Sequence, residues 1–268
     1  MIRIVRRDTG ALLLETDTDT LAGVSLPYAV LLYAELPGAD LTGARLRGAD
    51  LCSANLEGAR LDGADLRGAD LSGACLRAAS FAGARLTDAR LLGTDLSGAS
   101  FRGADLGRTS FKLAGAATAP ADFRDARMQR SGLDHTTLAG CDLSGADLSE
   151  AHLGGANWAG ANLRGATFRG ALLEGTNLAG ADLTHADLTH AVLHRADLTA
   201  ARMADAALGR TIFAAVPSLP LALGLEATSH SADSSLDLAT LAGIAHGLPT
   251  AFLEGIGLAE AVLRRLAD

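Results

Sequence analysis

The stretch LDGADLRGADLSGACL, residues 61–76, repeats a unit of five residues. A leucine stands at every fifth position, an alanine lies two residues before each later leucine, and a glycine lies two residues after the first three. Five residues turn a side chain through about 500° around an α-helix, so these leucines form no helical stripe. In a flat strand an odd spacing sends successive leucines to opposite faces. The period therefore excludes both regular structures.

A chain that turns a corner once in every five residues keeps these leucines together. Each unit is then a short extended side, with the central leucine and the small residue two before it pointing inward. Glycine near the corner supplies the positive φ that some tight turns need. Four corners close one coil in twenty residues, and successive coils stack at the strand spacing of roughly 4.8 Å. We therefore expect backbone hydrogen bonds between coils and four internal ladders of apolar side chains.

The five-residue series occupies most of the chain. It gives nineteen units from Leu21 to Phe111 and nineteen more from Phe123 to Phe213. Phe111 and Phe123 are 12 residues apart, so the frame slips by two residues between the series. These boundaries predict an N-terminal strand or hairpin cap (1–20), a first repeat segment (21–111), a loop or bulge (112–122), a second repeat segment (123–213), and a linker with a C-terminal helical cap (214–268).

Side chains twenty residues apart support a twenty-residue coil. Phe81 and Phe101 would stack on one internal ladder. The outward residues at one repeat position alternate in charge, as neighbours about 5 Å apart should; they are Arg45, Asp65, Arg85 and Asp105.

The units GADLR, GADLS, GANLR and GADLT resemble the A(D/N)LXX motif of the pentapeptide repeat family, and the resemblance covers residues 21–213. It implies an all-β solenoid, a right-handed quadrilateral β-helix, here of about nine to ten coils. The family includes Qnr-, MfpA- and AlbG-like members, and resemblance to them implies a DNA mimic that binds DNA gyrase or topoisomerase IV. Two tail segments, GLEATSH (224–230) and AFLEGIG (251–257), resemble instead the region before effector domains in longer bacterial proteins.

Composition favours a soluble cytoplasmic protein that does not bind nucleic acid directly. The 268 residues carry a net charge of −8, whereas a general nucleic-acid binder is more often basic. The start, MIRIVRRDTG, has no apolar core of secretory length, and the longest apolar run, at 212–225, is too short to span a membrane. The three cysteines are far apart, which disfavours a disulfide framework or a zinc site.

We expect no enzymatic activity, no cofactor and no metal site. The sequence contains no G-x-S-x-G motif, P-loop or dinucleotide-binding fingerprint. His185, His190 and His194 lie close in sequence, but the first two occupy outward positions on either side of a corner. The many carboxylates lie on a surface that we expect to be convex, without a cleft.

The charge distribution points to the outer surface of the second repeat segment. Between Asp19 and Lys112 there are 11 acidic and 10 basic residues, but between Asp134 and Arg210 there are 9 acidic and 5 basic. One interpretation is that Asp is simply the preferred residue of the motif. The other is a negative surface that a DNA-binding protein mistakes for duplex DNA, formed by Asp122, Asp142, Asp147, Asp182, Asp187 and Asp197.

Two further surfaces are predicted outside the regular repeats. The frame slip would form a contact loop that includes Lys112, Leu113, Thr118 and Pro120. An apolar stripe at helical spacing near the C-terminus would cover the last coil or form a homodimer interface; its residues are Leu258, Val262, Leu263 and Leu266.

Two functions remain open at this point, and both have a protein as the partner. The first is a DNA-mimicking binder of DNA gyrase or topoisomerase IV that gives resistance to topoisomerase poisons. The second is a protein–protein interaction scaffold of a bacterial signalling or conflict system, without gyrase activity, as the tail segments indicate. The fold alone does not decide between them.

Overall fold

The structure is a computed structural model that describes residues 1–113, 119–237, 240 and 247–257. The chain forms two compact units, Met1–Gly132 and Leu133–Asp268. In both units the regular structure consists mainly of short parallel bridges between successive coils.

Residues twenty positions apart pair in parallel in the first unit. Arg45 bridges to Asp65, and Asp65 bridges to Arg85. The main chain follows the same spacing, because Leu66 N donates to Arg85 O at 2.7 Å. Leu66 and Ala64 are fully buried, as are the corresponding residues of neighbouring units. The predicted coil of twenty residues, with leucine and alanine inside, is therefore confirmed.

The pairing distance changes from twenty to twenty-two residues near the end of the first unit. Ser100 pairs with Asp122 across the frame slip. Phe123 thereby comes into line with Phe101, and their rings stack with centroids 5.1 Å apart. Phe101 also stacks on Phe81 at 4.8 Å, as its spacing predicted. The two extra residues are thus accommodated without breaking the aromatic ladder.

The described residues of the first unit include four longer strands. The antiparallel strands β1 (Ile2–Val5) and β2 (Leu12–Thr16) form a hairpin within the segment 1–20. Glu35 N donates to Val5 O at 2.9 Å, which joins the hairpin to the coils. The parallel strands β3 (Arg90–Thr94) and β4 (Ser110–Leu113) pair with each other.

The second unit has the same construction. Asn162 bridges to Asp182, again twenty residues apart. Trp158 is fully buried, and its Nε1 donates to Thr136 Oγ1 at 3.2 Å. The strands pair in parallel as β5–β7–β9 and β6–β8; they are β5 (Val192–His194), β6 (Ala207–Leu208), β7 (Ile212–Ala214), β8 (Ser229–His230) and β9 (Ser235–Leu236).

Parallel pairing continues beyond the last pentapeptide unit. The chain passes through two 3₁₀-helices, Leu219–Leu221 and Leu225–Ala227, before β8 and β9 pair with strands of the repeat series. The sequence predicted only a linker and short helices here. It did not reveal this pairing because the paired residues are 21, 22 or 23 positions apart, as in Arg202 with Leu223, Ala207 with Ser229, and Phe213 with Leu236.

One α-helix, Thr250–Gly255, lies in the described part of the tail. Its Phe252 packs edge-on against Phe213, with ring centroids 6.1 Å apart. The predicted apolar stripe, Leu258, Val262, Leu263 and Leu266, lies outside the described residues. Within the described ranges no helix is both long enough and apolar enough to cross a membrane.

Candidate interaction surfaces

The Asp or Asn that precedes each central leucine has a structural role at the corner. Its side-chain oxygen accepts a hydrogen bond from the main-chain N–H two residues later. Thr184 N donates to Asp182 at 3.0 Å in this way, and Ala179 N donates to Asn177 at 2.9 Å. Such Asx turns are a known stabiliser of tight turns. They explain why the motif accepts Asp and Asn equally at this position.

The corner hydrogen bond also fixes the direction of each carboxylate. Oδ1 of Asp187 accepts from the Thr189 main chain at 3.0 Å and from the Thr189 hydroxyl at 2.7 Å. Its other oxygen faces away from the turn and accepts from Arg169 Nε at 2.5 Å. The outer surface therefore carries oriented charges that lose little rotational freedom when a partner binds.

Five of the six predicted acidic residues lie on the outer surface of the second unit, on three sides of the coil. They occupy columns in which each rung is one coil. The columns are Asp142, Asn162, Asp182 on one side of the coil and Asp147, Thr167, Asp187 on the next, with Asp197 above Asn177 on a third. We call the five aspartates of these columns, Asp142, Asp147, Asp182, Asp187 and Asp197, the acidic columns.

Three carboxyl groups of the acidic columns, those of Asp182, Asp187 and Asp197, have a pKa below the ordinary value. Hydrogen bonds from Thr199 hold the pKa of Asp197 below its ordinary value. Burial raises the pKa of Asp182, but hydrogen bonds from Thr184 and nearby arginines outweigh burial and leave that pKa lowered. The same balance lowers the pKa of Asp187.

Asp122, the sixth predicted residue, belongs to the first unit. Arg124 binds it through two hydrogen bonds, from Nε to Oδ1 at 2.9 Å and from Nη2 to Oδ2 at 2.6 Å. This pair holds the pKa of Asp122 below its ordinary value. Because Asp122 lies in the first unit, we do not include it in the acidic columns.

The predicted contact loop is described only in part. Lys112 and Pro120 are exposed. Thr118 and the side chain of Leu113 lie outside the described residues. The loop therefore stays a prediction.

A groove on the first unit was not predicted. It has a volume of about 510 Å³ and is lined by an aromatic ring, Tyr28, and several arginines. The expectation of a convex surface without a cleft is therefore wrong for this unit. The groove forms because Gly48 and Gly68 take a corner position that carries side chains in neighbouring coils. The available sequence signal was the pair of successive glycines between larger residues in the twenty-residue series Tyr28, Gly48, Gly68, Asp88.

The described part of the chain contains no evident metal-binding site and no evident reactive cysteine. No group of three or more His, Cys, Asp or Glu side chains is placed there to hold a metal ion. Burial, with Asp50 and Asp70 nearby, raises the pKa of the Cys52 thiol to about 12. Cys141 is buried at an inward position. A high pKa or full burial disfavours a reactive thiolate.

Comparison with known families gives one match. A family model described as pentapeptide repeats, with 8 copies, matches residues 44–81, 74–112, 141–178 and 176–213, which together make up just over half of the chain. No curated protein sequence matches this chain.

Several solved structures are similar. HetL, a pentapeptide repeat protein involved in heterocyst differentiation regulation in the cyanobacterium Nostoc sp. strain PCC 7120, is 32% identical, with 68% of this chain and 91% of HetL covered and a TM-score of 0.27. A trypsin-treated variant of QnrB1, a plasmid-mediated fluoroquinolone resistance protein, is 21% identical, with 66% and 86% covered and a TM-score of 0.39. A pentapeptide repeat protein from the thylakoid lumen of Arabidopsis thaliana is 21% identical, with 47% and 83% covered and a TM-score of 0.25.

Proposed function

The chain belongs to the pentapeptide repeat family, whose proteins form right-handed β-helices, and on that premise we propose that it is a non-enzymatic protein-binding module. The partner is a protein that ordinarily binds duplex DNA, and the acidic columns make the contact. The observation that supports this most is the set of corner hydrogen bonds that orients the carboxylates of Asp142, Asp147, Asp182, Asp187 and Asp197.

Oriented negative charge on a rigid surface is what a DNA-binding groove recognises. Such grooves neutralise phosphates with lysine and arginine, and their affinity falls steeply as salt rises. Charges that are already fixed before association give electrostatic complementarity at a small entropic cost. The acidic excess between Asp134 and Arg210, 9 acidic against 5 basic residues, has the sign that this role requires.

Within this class of partner we propose a type II topoisomerase, DNA gyrase or topoisomerase IV, in the bacterial cytoplasm. Occupation of the DNA-binding groove would reduce the cleaved complexes that topoisomerase poisons stabilise, so the consequence would be drug protection. The proposal rests on the acidic columns and not on the similarity to QnrB1.

A gyrase supercoiling and cleavage assay with a fluoroquinolone tests this proposal. The wild-type chain should reduce drug-stimulated DNA cleavage at micromolar concentration. The fourfold variant Asp142→Asn, Asp147→Asn, Asp182→Asn, Asp187→Asn should lose the effect. Asparagine keeps the corner hydrogen bond, as Asn157 and Asn177 do, so the variant loses charge without losing its turns.

A variant of the first unit provides the matched control. Asp40→Asn, Asp50→Asn, Asp70→Asn and Asp95→Asn change the total charge by the same amount at the same repeat position. This control should protect gyrase as the wild type does. No inhibition and no protection by the wild-type chain would reject the topoisomerase as partner. Recovery of an effector protein or nuclease in a pull-down would then favour the alternative, a scaffold of a signalling or conflict system.

We propose in addition that the β-helix has about nine to ten coils, with caps at both ends. The hairpin β1–β2 would cover the first coil, and the C-terminal helical segment would cover the last. A main-chain hydrogen bond from Arg7 N to Tyr33 O, at 2.9 Å, joins the hairpin segment to the first coil. Open coil edges invite association. Deletion of residues 1–20 should therefore produce oligomers in light scattering, and a monodisperse monomer would count against the N-terminal cap.

A further inference from the structure

The groove on the first unit is built from one corner of successive coils. Tyr28 N donates to Arg47 O at 2.8 Å, and Gly48 N donates to Arg67 O at 2.9 Å. These bonds stack Arg47 and Arg67 on adjacent rungs, roughly 4.8 Å apart. Two stacked arginines therefore form part of one wall of the groove.

Two glycines form the floor of the groove. Gly48 and Gly68 lie between Tyr28 and Asp88 at the same corner position, and all four have positive φ. A Cβ on Gly48 would meet the Tyr28 ring at 2.6 Å, so the ring lies over that glycine. A Cβ on Gly68 would meet nothing within 4 Å. The space over Gly68 is therefore open, and Tyr28, 69% exposed, closes one end of it.

Two of the arginines in the groove are held in place by carboxylates. Arg67 donates to both oxygens of Asp65, from Nε at 2.7 Å and from Nη2 at 2.5 Å. Arg108 does the same with Asp88, at 2.7 and 2.6 Å. In each case the bidentate edge of the guanidinium group is occupied. The Nη1 donors remain for a ligand.

The other two arginines are unpaired in the described part of the chain. Neither Arg47 nor Arg85 has an ion pair with a described carboxylate. Arg85 lies one coil from Asp65, but Arg67 already occupies both oxygens of that carboxylate. The groove therefore has an excess of positive charge on a protein whose net charge is −8.

This arrangement favours a phosphate ligand over a carboxylate. A planar carboxylate is best bound by the bidentate edge of one guanidinium group. In this groove two of those edges are taken, and single donors from several arginines surround one cavity instead. Such donors suit the three oxygens of a phosphate group, each of which can accept a separate hydrogen bond.

We propose that this groove binds a nucleoside polyphosphate. The phosphates lie over Gly68 among Arg47, Arg67, Arg85 and Arg108, and the base stacks against the exposed face of Tyr28. Aromatic side chains stack on any base, and arginines match phosphates. The volume of about 510 Å³ is within the range of small-molecule sites.

Isothermal titration calorimetry of the full chain, with ATP, tripolyphosphate and adenosine as probes, tests the proposal. ATP should bind. Tripolyphosphate should bind about tenfold more weakly because it lacks a base to stack, and adenosine should show no measurable binding. Raising the salt from about 50 to 200 mM should weaken both phosphate ligands, because their binding is electrostatic.

Three variants assign the roles. Arg47→Glu with Arg85→Glu should weaken ATP binding by about 100-fold or more. Tyr28→Ala should reduce the affinity for ATP to that for tripolyphosphate and leave the latter unchanged. Arg164→Glu with Arg195→Glu, the same charge change on the second unit, should leave ATP binding intact. Circular dichroism of each variant confirms that the coils are folded.

Three results would overturn the proposal. The first is absence of ATP and tripolyphosphate binding at millimolar concentration, or an equal loss in the Arg164 and Arg195 control. The second is equal affinity for ATP and tripolyphosphate together with no effect of Tyr28→Ala on either. That result would mean that the groove does not recognise the nucleoside. The third is tighter binding of a single-stranded oligonucleotide than of ATP, which would indicate a nucleic-acid surface.

Discussion

The two units have the same kind of core, of buried leucine and alanine, and differ in the residues that surround some of their carboxylates. In two coils of the first unit an arginine two residues after the aspartate binds its carboxylate; these aspartates are Asp65 and Asp122. In the second unit that position holds Ser or Thr, and Asp197 is bound by the Thr199 hydroxyl at 2.6 Å. A hydroxyl supports the corner without cancelling the charge. The residue two positions after the aspartate therefore decides whether the carboxylate is paired within its own repeat, although an arginine of another repeat can still reach it, as Arg169 reaches Asp187.

The largest expected effect concerns what the units share. Leu71→Asp in the first unit and Leu163→Asp in the second each place a carboxylate at a fully buried position. A buried charge without a partner should cost about 4 kcal/mol or more. Hydrogen exchange should show loss of amide protection in the substituted unit. Leu172→Asp, at a leucine that is 43% exposed, is the control and should change the melting temperature little.

A smaller loss of stability is expected at a buried side-chain hydrogen bond in the second unit, whose place in the core of the first unit is taken by stacked aromatic rings. Thr136→Val removes the only described acceptor of Trp158 Nε1, and a stranded buried donor costs about 1–3 kcal/mol. Thr176→Val removes a comparable hydroxyl, bonded to Leu153 O at 2.8 Å, without stranding a tryptophan. Urea denaturation should show the larger loss for Thr136→Val. Equal losses would mean that the indole hydrogen bond contributes nothing.

Both units have a left-handed backbone conformation at the corner, and replacing glycine by alanine there should lower the free energy of unfolding by about 1 kcal/mol. Gly63 has φ 64°, and a Cβ there would meet nothing within 4 Å, so Gly63→Ala changes only backbone strain. Ala200 has φ 55° at the corresponding position of the second unit. Thermal melts should show a loss for Gly63→Ala and a gain for Ala200→Gly. Shifts of the same sign would contradict a shared left-handed corner.

The smallest effect is a pH dependence confined to the second unit. His230 is half-buried, its Nδ1 has no partner among the described residues, and burial lowers its pKa below the ordinary 6.5. A lowered folded-state pKa means that stability is full above pH 6.5 and falls as pH decreases. Between pH 7 and 5, protection of Thr250–Gly255 should decrease, while that of the first unit should not. His230→Asn should abolish this dependence.

The period of five predicted the coil and its interior because a single repeat length is compatible with few backbone paths. The surface was less predictable. Alternating charges at Arg45, Asp65 and Arg85 indicated pairing across coils, and the structure places them in one ladder. Asp65 is nevertheless bound by Arg67, since an arginine two residues away reaches it within the same coil.

The groove and the added strand pairing could not be predicted from the repeat itself. The groove depends on the absence of side chains at Gly48 and Gly68 between larger neighbours, which is a three-dimensional relation among coils. The pairing beyond Phe213 has no constant period, so counting in fives stops too early. A uniform repeat thus determines its fold in the sequence, whereas segments of varying period do not.

Competition with DNA tests the proposed mimicry most directly. Gyrase is incubated with a fluorescent DNA duplex, and the wild-type chain is added in increasing amounts. Fluorescence anisotropy reports the bound duplex, and native mass spectrometry identifies the complexes present. Mimicry through the acidic columns predicts that the duplex is displaced by the wild type, and not by the variant with Asn at residues 142, 147, 182 and 187. A stable ternary complex of gyrase, duplex and chain, or equal displacement by both proteins, would contradict it.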